Sequence, residues 1–204
     1  MAFRELLLLC ACLSTVVGCG RPIRELVEAG KELIPEDKAK AAPCPATPTT
    51  RIALIANLHA ATPVVTKWDP ARPEASSSFI VSGSPATADG HAVDLRLYFV
   101  KGAEHSWHWH ALATNVGSPQ AELGAGSLTF DEQGALRAME TSAALRLPHR
   151  DGSLSAPVEL FLGTPSGPEA DGFDGVTSTS EPSRLESYEQ NGATQVDASE
   201  CNAG

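Results

Sequence analysis

The sequence predicts an all-β fold, a single antiparallel distorted barrel or sandwich, preceded by a signal peptide and a short helical or extended tether. From Thr50 onward, short runs alternate apolar and polar residues with the period of a β-strand. Clusters of Gly, Pro, Asp and Ser separate these runs, as is typical of antiparallel sandwiches and barrels. Before Thr50 the chain has an apolar leader and an Ala-Pro-rich stretch instead.

The leader has the order of a secretory signal. Arg4 precedes an apolar run from Leu6 to Val17, which is shorter than the roughly 20 residues needed to span a bilayer. The ending Val16-Val17-Gly18-Cys19 resembles the bacterial lipoprotein signal, which implies acylation of Cys19 and cleavage before it. Gly20 follows rather than Asp, so the enterobacterial sorting rule predicts the outer membrane. The alternatives are an ordinary secretory signal with an incidental cysteine, or a start site assigned too early.

The segment between leader and strands is predicted to be a tether. Residues 21–40 carry five basic and five acidic groups, with apolar residues near helical spacing that Gly30 and Pro35 interrupt. Residues 39–49 are rich in Ala and Pro and should be extended. We therefore expect a signal peptide at 1–18, a lipid-anchored tether and linker at 19–49, the β domain at 50–192 and a C-terminal tail at 193–204.

The charge distribution limits the partners. Residues 41–204 carry nine basic and 19 acidic groups and account for the net charge of −10. An acidic body without a basic stripe argues against nucleic acid. It also leaves the acyl group as the expected membrane contact, because nothing in this region would attract anionic lipid.

Seven alternating runs between residues 52 and 162 are predicted to be strands. Their inward faces are expected to be Ile52, Leu54 and Ala56; Phe79 and Val81; Val93, Leu95, Leu97 and Phe99; Trp107, Trp109 and Ala111; Leu128 and Phe130; Leu145 and Leu147; Val158, Leu160 and Leu162. Ala88-Asp89-Gly90-His91 is typical of a type I′ hairpin turn. Residues 163–183 are polar and predicted to form a long loop.

Two cysteines would be left with free thiols after lipidation. Cys10 and Cys12 leave with the leader and Cys19 is acylated, so Cys44 and Cys201 form an even pair in an oxidising compartment. This suggests a disulfide, and closing so long a loop is worth at most about 5 kcal/mol by chain entropy. The alternative is two free thiols in mobile ends.

Few residues suggest a catalytic or metal-binding site. His105, His108 and His110 form the one histidine cluster, and the last two share a strand face at a spacing that can suit zinc. The alternative is that Trp107 and Trp109 face the core while the histidines are solvated. His149, Asp151, Ser153 and Ser155 are residue types found in hydrolases, but no Gly-x-Ser-x-Gly motif accompanies them. Six aspartates near Gly or Pro are expected to form turns: Asp69, Asp89, Asp131, Asp151, Asp171 and Asp174.

Six pieces of the chain, in order, resemble the second domain of bacterial flagellar hook proteins. They are Asn57-Leu58-His59-Ala60 with Thr62-Pro63; Trp68-Asp69-Pro70; Leu95 to Lys101; Trp107; Leu128-Thr129-Phe130-Asp131 with Gly134-Ala135-Leu136; and Ser187 with Gln190-Asn191-Gly192. The resemblance covers about residues 50–192 and implies a compact all-β domain whose two ends emerge close together. Adjacent ends would bring Cys44 and Cys201 within reach of each other.

The resemblance implies a non-enzymatic function. Residues 21–40 do not match the helical segment with which hook proteins polymerise, so it implies one module of such a protein rather than a hook subunit. We expect a non-enzymatic outer-membrane lipoprotein without cofactor, using the module for structure or for contact with envelope or flagellar proteins. A metal-binding periplasmic protein using the histidine cluster and a true flagellar accessory are the alternatives. No small-molecule ligand or oligomeric state is indicated.

Overall fold

The computed structural model describes residues 46–114 and 122–194, and within these ranges the protein is all-β. A 3₁₀ turn at Pro73–Ala75 is the only helical element there. The strands are β1 Arg51–Asn57, β2 Phe79–Gly83, β3 Leu95–Ala103, β4 Ser106–Ala113, β5 Glu122–Phe130, β6 Leu136–Ala143, β7 Glu159–Phe161, β8 Val176–Thr177 and β9 Arg184–Gln190. They form two sheets, which confirms the all-β prediction and decides for a sandwich-like arrangement over a closed barrel.

The larger sheet is an antiparallel meander in the order β2-β3-β4-β5-β6. Consecutive strands are neighbours, because short turns such as the one at Glu104 and His105 between β3 and β4 reverse the chain directly. The register pairs Phe99 with Trp109 and Trp109 with Gly126, so one ring lies beside another ring and beside a glycine.

The smaller sheet is built around β1. On one side β1 pairs in parallel with β7 through residues 51–53 and with β8 through residues 56–57. On the other side it pairs antiparallel with β9, with a register shift between Ile55 and Ala56. The sequence did not indicate the parallel pairs, because β7 and β8 have only three and two residues and reach β1 from far along the chain.

The core lies between the two sheets. Trp107 and Trp109 are the largest fully buried side chains, and the inward faces predicted for β1 and β4 are all buried. Val93, Leu95, Leu97 and Phe99 are likewise in the core, as the alternation predicts. The prediction that the tryptophans face the core is therefore confirmed.

A covering loop, residues 65–78, places its Trp68 side chain over the outer face of β3 and β4, against Tyr98 and His110. The Val65 N–H donates to the Lys101 carbonyl at 2.8 Å, and the Ser78 N–H donates to the Phe99 carbonyl at 2.8 Å. The loop explains why Tyr98, expected on the outer face, is fully buried. Its Trp68 ring lies 5.5 Å from the Tyr98 ring, centroid to centroid.

Three local predictions need correction. Leu145 and Leu147 are buried, but they lie outside the strands. The backbone at 145–147 makes only isolated hydrogen bonds, one each to Leu123, Ser155 and Val158, and the next residue, Pro148, has no N–H to continue a ladder. Residues 163–183 form a long loop that also contains β8.

The predicted hairpin turn exists, but three residues separate the bonded pair. Thr87 N–H donates to the His91 carbonyl, Gly90 N–H donates to the Thr87 carbonyl, and Gly90 has φ +75°. A three-residue loop with a left-handed glycine replaces the expected two-residue type I′ turn.

No helix in the described ranges is long and apolar enough to cross a membrane. The predicted leader, residues 19–45 of the predicted tether and linker, and residues 195–204 of the predicted tail lie outside the described residues, as do Cys19, Cys44 and Cys201.

Candidate functional site

The histidines of the predicted cluster have separate environments. His105 lies in the β3–β4 turn, whereas His108 and His110 are on the outer face of β4. The His110 ring stacks on Trp68 at 4.4 Å between centroids, and its Nδ1 lies 2.6 Å from the Glu122 carboxylate. The His108 ring lies over Gly102 instead. Across residues 46–114 and 122–194, no group of three or more His, Cys, Asp or Glu side chains is placed to hold a metal ion.

The residues of hydrolase type do not form a relay. The Ser153 hydroxyl donates to Asp151 at 2.6 Å, and the Ser155 hydroxyl donates to the Ala156 carbonyl at 2.6 Å. Proximity in the sequence does not make the His149 ring a partner of these hydroxyls: its Nδ1 lies 3.5 Å from the Asp89 carboxylate. A nucleophilic serine needs a base within hydrogen-bond reach, so these contacts are those of a turn.

The aspartates act as turn residues, as predicted. Five of them accept a hydrogen bond from the backbone N–H two residues further along, namely Asp69, Asp89, Asp131, Asp151 and Asp171. Asp174 instead accepts from the Thr164 N–H at 2.7 Å and from the Thr164 hydroxyl. These bonds lower the pKa of Asp174.

One buried cation supports the β3–β4 turn. Lys101 is 1% exposed, its Nζ donates to the Glu104 carbonyl, and Nζ lies 4.9 Å from the centre of the Trp107 ring. Burial lowers the pKa of Lys101. The ammonium is engaged by a carbonyl and an aromatic face, which is a structural arrangement.

The outward face of the smaller sheet carries a groove of about 360 Å³. Ala53, Ile55 and Phe161 form its apolar floor, and Ile55 is 40% exposed. We call this surface the β1 groove. Its rim is polar and is lined by Arg51, Asp174, Ser187, Glu189, Gln190 and Asn191.

Arg51 organises one end of the β1 groove. Its guanidinium lies 5.1 Å from the centre of the Phe161 ring and 3.6 Å from the Glu159 carboxylate. The groove thus offers an exposed aliphatic side chain, an aromatic ring and charges of both signs. Such a surface suits contact with another protein, because an apolar centre within a polar rim is the usual anatomy of an interface.

The sequence analysis did not predict the β1 groove, although two residues could have signalled it. Ile55 and Phe161 are apolar residues on positions where the alternation of β1 and β7 calls for polar ones. An apolar side chain on the solvated face of a strand indicates either cover by another segment or a contact surface.

The two ends of the described domain meet. Thr47 and Ala193 exchange both backbone hydrogen bonds, each of 2.9 Å, as an antiparallel bridge. This confirms the adjacent ends that the resemblance implied.

Three comparisons with known proteins bear on the family. Residues 88–193, which are 106 of the 204 residues, match the family model described as the flagellar basal body protein FlaE D2 domain. No curated protein matches the chain. Among solved structures the chain is similar to a 32 kDa fragment of the flagellar hook protein FlgE from Caulobacter crescentus, with 15% identity and a TM-score of 0.44. The alignment covers 62% of this chain and 52% of that fragment, so the chain spans about half of its length.

The matched residues include most of the larger sheet and all of β7, β8 and β9. The hook-like β module expected from the six sequence pieces is thus shown by a match over more than half of the chain. This chain belongs to the family of the flagellar basal body protein FlaE D2 domain.

Proposed function

We propose that this chain is a non-enzymatic envelope lipoprotein whose hook-family β module makes structural contacts with other proteins, with flagellar proteins as its partners. The match of residues 88–193 to the FlaE D2 family carries this proposal. The family is a structural one, and a role related to the flagellar hook follows from membership.

The proposed attachment has two parts. Cys19 carries the lipid, and each buried CH₂ of its acyl chains contributes about 0.8 kcal/mol, so that two or more chains anchor stably. The linker then joins the module next to the Thr47–Ala193 bridge. The lipid-anchored tether would therefore be attached to the β domain at a single place on the surface of the domain.

The β1 groove is the contact surface that the geometry favours. Its apolar floor is exposed, and its rim offers Arg51 and two carboxylates, Asp174 and Glu189, for hydrogen bonds to a partner. The groove lies on the smaller sheet, away from the face of the larger sheet that the covering loop occupies. A partner could thus bind without displacing any described segment.

The anchoring part is tested by replacing the proposed acylation site. Cys19→Ser should block processing of the leader by the lipoprotein peptidase and remove the acyl mass from the protein. Cys12→Ser, in the same leader, is the matched control and should be processed normally. Acyl mass absent from the purified wild-type protein would contradict lipidation.

The contact part is tested by co-fractionation with flagella. Hook–basal bodies purified from cells that carry the tagged wild-type protein should contain it. Ile55→Asp places a charge on the groove floor and should reduce this amount at least several-fold. Leu154→Asp changes another exposed leucine-sized side chain, 56% exposed and outside the groove, and should have no effect.

Two outcomes would contradict the contact proposal. Wild-type protein that never accompanies hook–basal bodies would refute the flagellar setting. An equal loss with Ile55→Asp and Leu154→Asp would refute the groove as the contact surface.

A further inference from the structure

Two carboxylates border the floor of the β1 groove without a cation to match them. Asp174 and Glu189 both line the groove and are exposed. Neither takes part in any ion pair among residues 46–114 and 122–194. The cation of the groove, Arg51, is already matched by Glu159 at 3.6 Å. The groove therefore has an excess of negative charge beside its apolar floor.

Both carboxylates can accept further hydrogen bonds. Asp174 accepts from the Thr164 N–H at 2.7 Å and from the Thr164 hydroxyl at 2.6 Å, which fixes its position and lowers its pKa. Glu189 accepts one long bond, of 3.4 Å, from the Ser187 hydroxyl. Because an ionised carboxylate has about four acceptor positions, each group retains positions for a donor from outside the domain.

The strand register places these carboxylates on opposite sides of the floor. Ala53 pairs with Phe161 of β7 on one side and with Glu189 of β9 on the other, so the three residues form one row across the sheet. Neighbouring strands lie about 4.8 Å apart, which separates the outer two residues of the row by about 10 Å. Asp174 comes just before β8, which pairs with β1 on the side away from β9.

The middle of the row is its lowest point, because Ala53 has only a methyl group. An apolar side chain placed over Ala53 would contact the Phe161 ring and the exposed Ile55, two residues further along the same face. In an extended segment, residues two positions apart share a face and lie about 7 Å from each other. Long basic side chains on both sides of such an apolar residue can lie along the floor and keep their charged ends in water.

The charge of the domain indicates which class of partner fits. Residues 41–204 carry nine basic and 19 acidic groups. A field of this sign attracts a basic segment and repels an acidic one, including a second copy of this domain. The matching occupant of the β1 groove is therefore a basic segment of a different protein.

We propose that the β1 groove binds an extended segment in which a large apolar side chain is flanked, two residues away on each side, by Lys or Arg. The apolar side chain lies over Ala53, and the basic groups pair with Asp174 and Glu189. Arginine fits best, because its forked guanidinium matches a carboxylate with two hydrogen bonds. The inference rests on the groove as the contact surface of the proposed function and adds the chemistry of the partner.

A peptide titration tests this chemistry. The probe is the capped heptapeptide Gly-Arg-Ser-Leu-Ser-Arg-Gly, added to the isotopically labelled full chain. The amide resonances of Ala53, Ile55 and Glu189 should shift and saturate, with a dissociation constant in the millimolar range. A peptide with Glu in both Arg positions should cause no shift at the same concentrations. A peptide with Ala in place of Leu should bind several-fold more weakly.

Variants of the domain separate the charges from the floor. Glu189→Gln should weaken binding of the arginine peptide about two- to five-fold, as expected for one exposed ion pair. Glu132→Gln is the matched control, because it neutralises an exposed carboxylate in the turn between β5 and β6, and it should bind like the wild type. High salt should weaken the wild type and reduce its difference from Glu189→Gln.

Contrary outcomes are distinct from those of the proposed function. No binding, equal binding of the arginine and glutamate peptides, shifts away from the groove, or an equal loss in Glu189→Gln and Glu132→Gln would overturn the inference. Protein that accompanies hook–basal bodies but does not bind the arginine peptide would refute this inference alone. Peptide binding by a protein that never accompanies hook–basal bodies would support the inference and refute the flagellar setting.

Discussion

At the residue scale, the side chain of Asn57 shows why an amide is needed at the end of β1. It is 7% exposed, and its Nδ2 donates to the carbonyls of Glu181, at 2.7 Å, and Pro182, at 3.3 Å. Its Oδ1 accepts from the Thr177 hydroxyl and from both the N–H and the hydroxyl of Thr179. One amide therefore fixes the segment between β8 and β9, a role that only a donor and acceptor on one short side chain can fill.

We predict that Asn57→Asp lowers the free energy of unfolding by about 2–3 kcal/mol, because a carboxylate would face two carbonyls that can only accept. Asn191→Asp is the matched control. Its oxygen accepts from two N–H groups, and the Thr50 hydroxyl can turn to donate, so the loss should stay below about 1 kcal/mol. Urea unfolding of both variants measures this, and equal losses would contradict the account.

Glycines inside two strands make room for aromatic rings. A Cβ on Gly126 would lie 2.2 Å from the Glu140 carbonyl oxygen and 2.5 Å from Nε1 of Trp109. A Cβ on Gly83 would lie 2.1 Å from the Tyr188 hydroxyl. Both glycines lie within strands, Gly126 in β5 and Gly83 at the end of β2. The rings of β4 and β9 explain why glycine is tolerated there.

We predict that Gly126→Ala costs about 1–3 kcal/mol of unfolding free energy through overpacking against Trp109 and the backbone of β6. Gly167→Ala should change it by less than about 0.5 kcal/mol, since a Cβ there meets nothing within 4 Å. The comparison needs only denaturant curves under one condition. A Gly126→Ala protein as stable as the wild type would show that Trp109 does not pack as described.

At the element scale, Asp89 joins two turns that are distant in the sequence. Its carboxylate accepts hydrogen bonds from the Thr87 hydroxyl in its own turn and from the Arg150 N–H, at 2.9 Å, in the turn at 149–153. These two bonds hold the pKa of Asp89 well below its ordinary value, and the bond from the Thr87 hydroxyl has the larger effect. The carboxylate form is thus bound by the fold, and protonation would release it.

The sign of the resulting pH dependence follows from the lowered pKa. The contribution of Asp89 to stability is complete above the pKa of an unfolded aspartate, about 3.9, and is lost as the pH falls towards the folded value. We predict that the urea midpoint of the wild-type protein falls between pH 5 and pH 2.5. Asp89→Asn should be less stable at pH 7 and should lose less over that interval.

The control for this pH series is Glu169→Gln, a neutralisation of an exposed carboxylate in the loop before β8. Its midpoint should follow the wild-type curve. Some acid sensitivity should persist in Asp89→Asn, because hydrogen bonds also lower the pKa values of Asp69, Asp151 and Asp174. Parallel curves for the wild type and Asp89→Asn would contradict the proposed link between the two turns.

Four of the five strands of the larger sheet could be predicted because their alternation is a local signal, whereas β6 was not predicted because most of its side chains are exposed. Leu95, Leu97 and Phe99 face the core as expected, since every second residue of a strand shares a face. The burial of Tyr98 could not be predicted, because it depends on the covering loop. A loop that folds back over a sheet has no periodic pattern in the sequence. The parallel pairing of β7 and β8 with β1 was missed for the same reason: it is a long-range contact of very short segments.

The candidate site was harder to predict than the fold. The histidines attracted attention as a sequence cluster, yet His110 is engaged by Trp68 and Glu122 and His108 lies over Gly102. The β1 groove is lined by residues of β1, β7 and β9 together with Asp174 and Asn191, which approach one another only in the folded domain. Ile55 was its best local signal, because it is an apolar residue on the polar face of β1.

At the scale of the whole molecule, β1 is the strand that closes the domain. Among the described residues it is the first strand, and its partners β7, β8 and β9 are the last three, so the smaller sheet joins the beginning of the described domain to its end. The antiparallel pairing with β9 continues beyond the strands to the Thr47–Ala193 bridge. The exposed β1 groove, which combines side chains from both ends of the described domain, depends on this closure.

Interstrand nuclear Overhauser effects in the isotopically labelled protein test this closure most directly. The account predicts contacts between Leu54 and Tyr188, between Ile52 and Gln190, and between Thr47 and Ala193, with slow exchange of the bridging amides. Contacts of β9 with a strand other than β1, or rapidly exchanging amides at both Thr47 and Ala193, would contradict it.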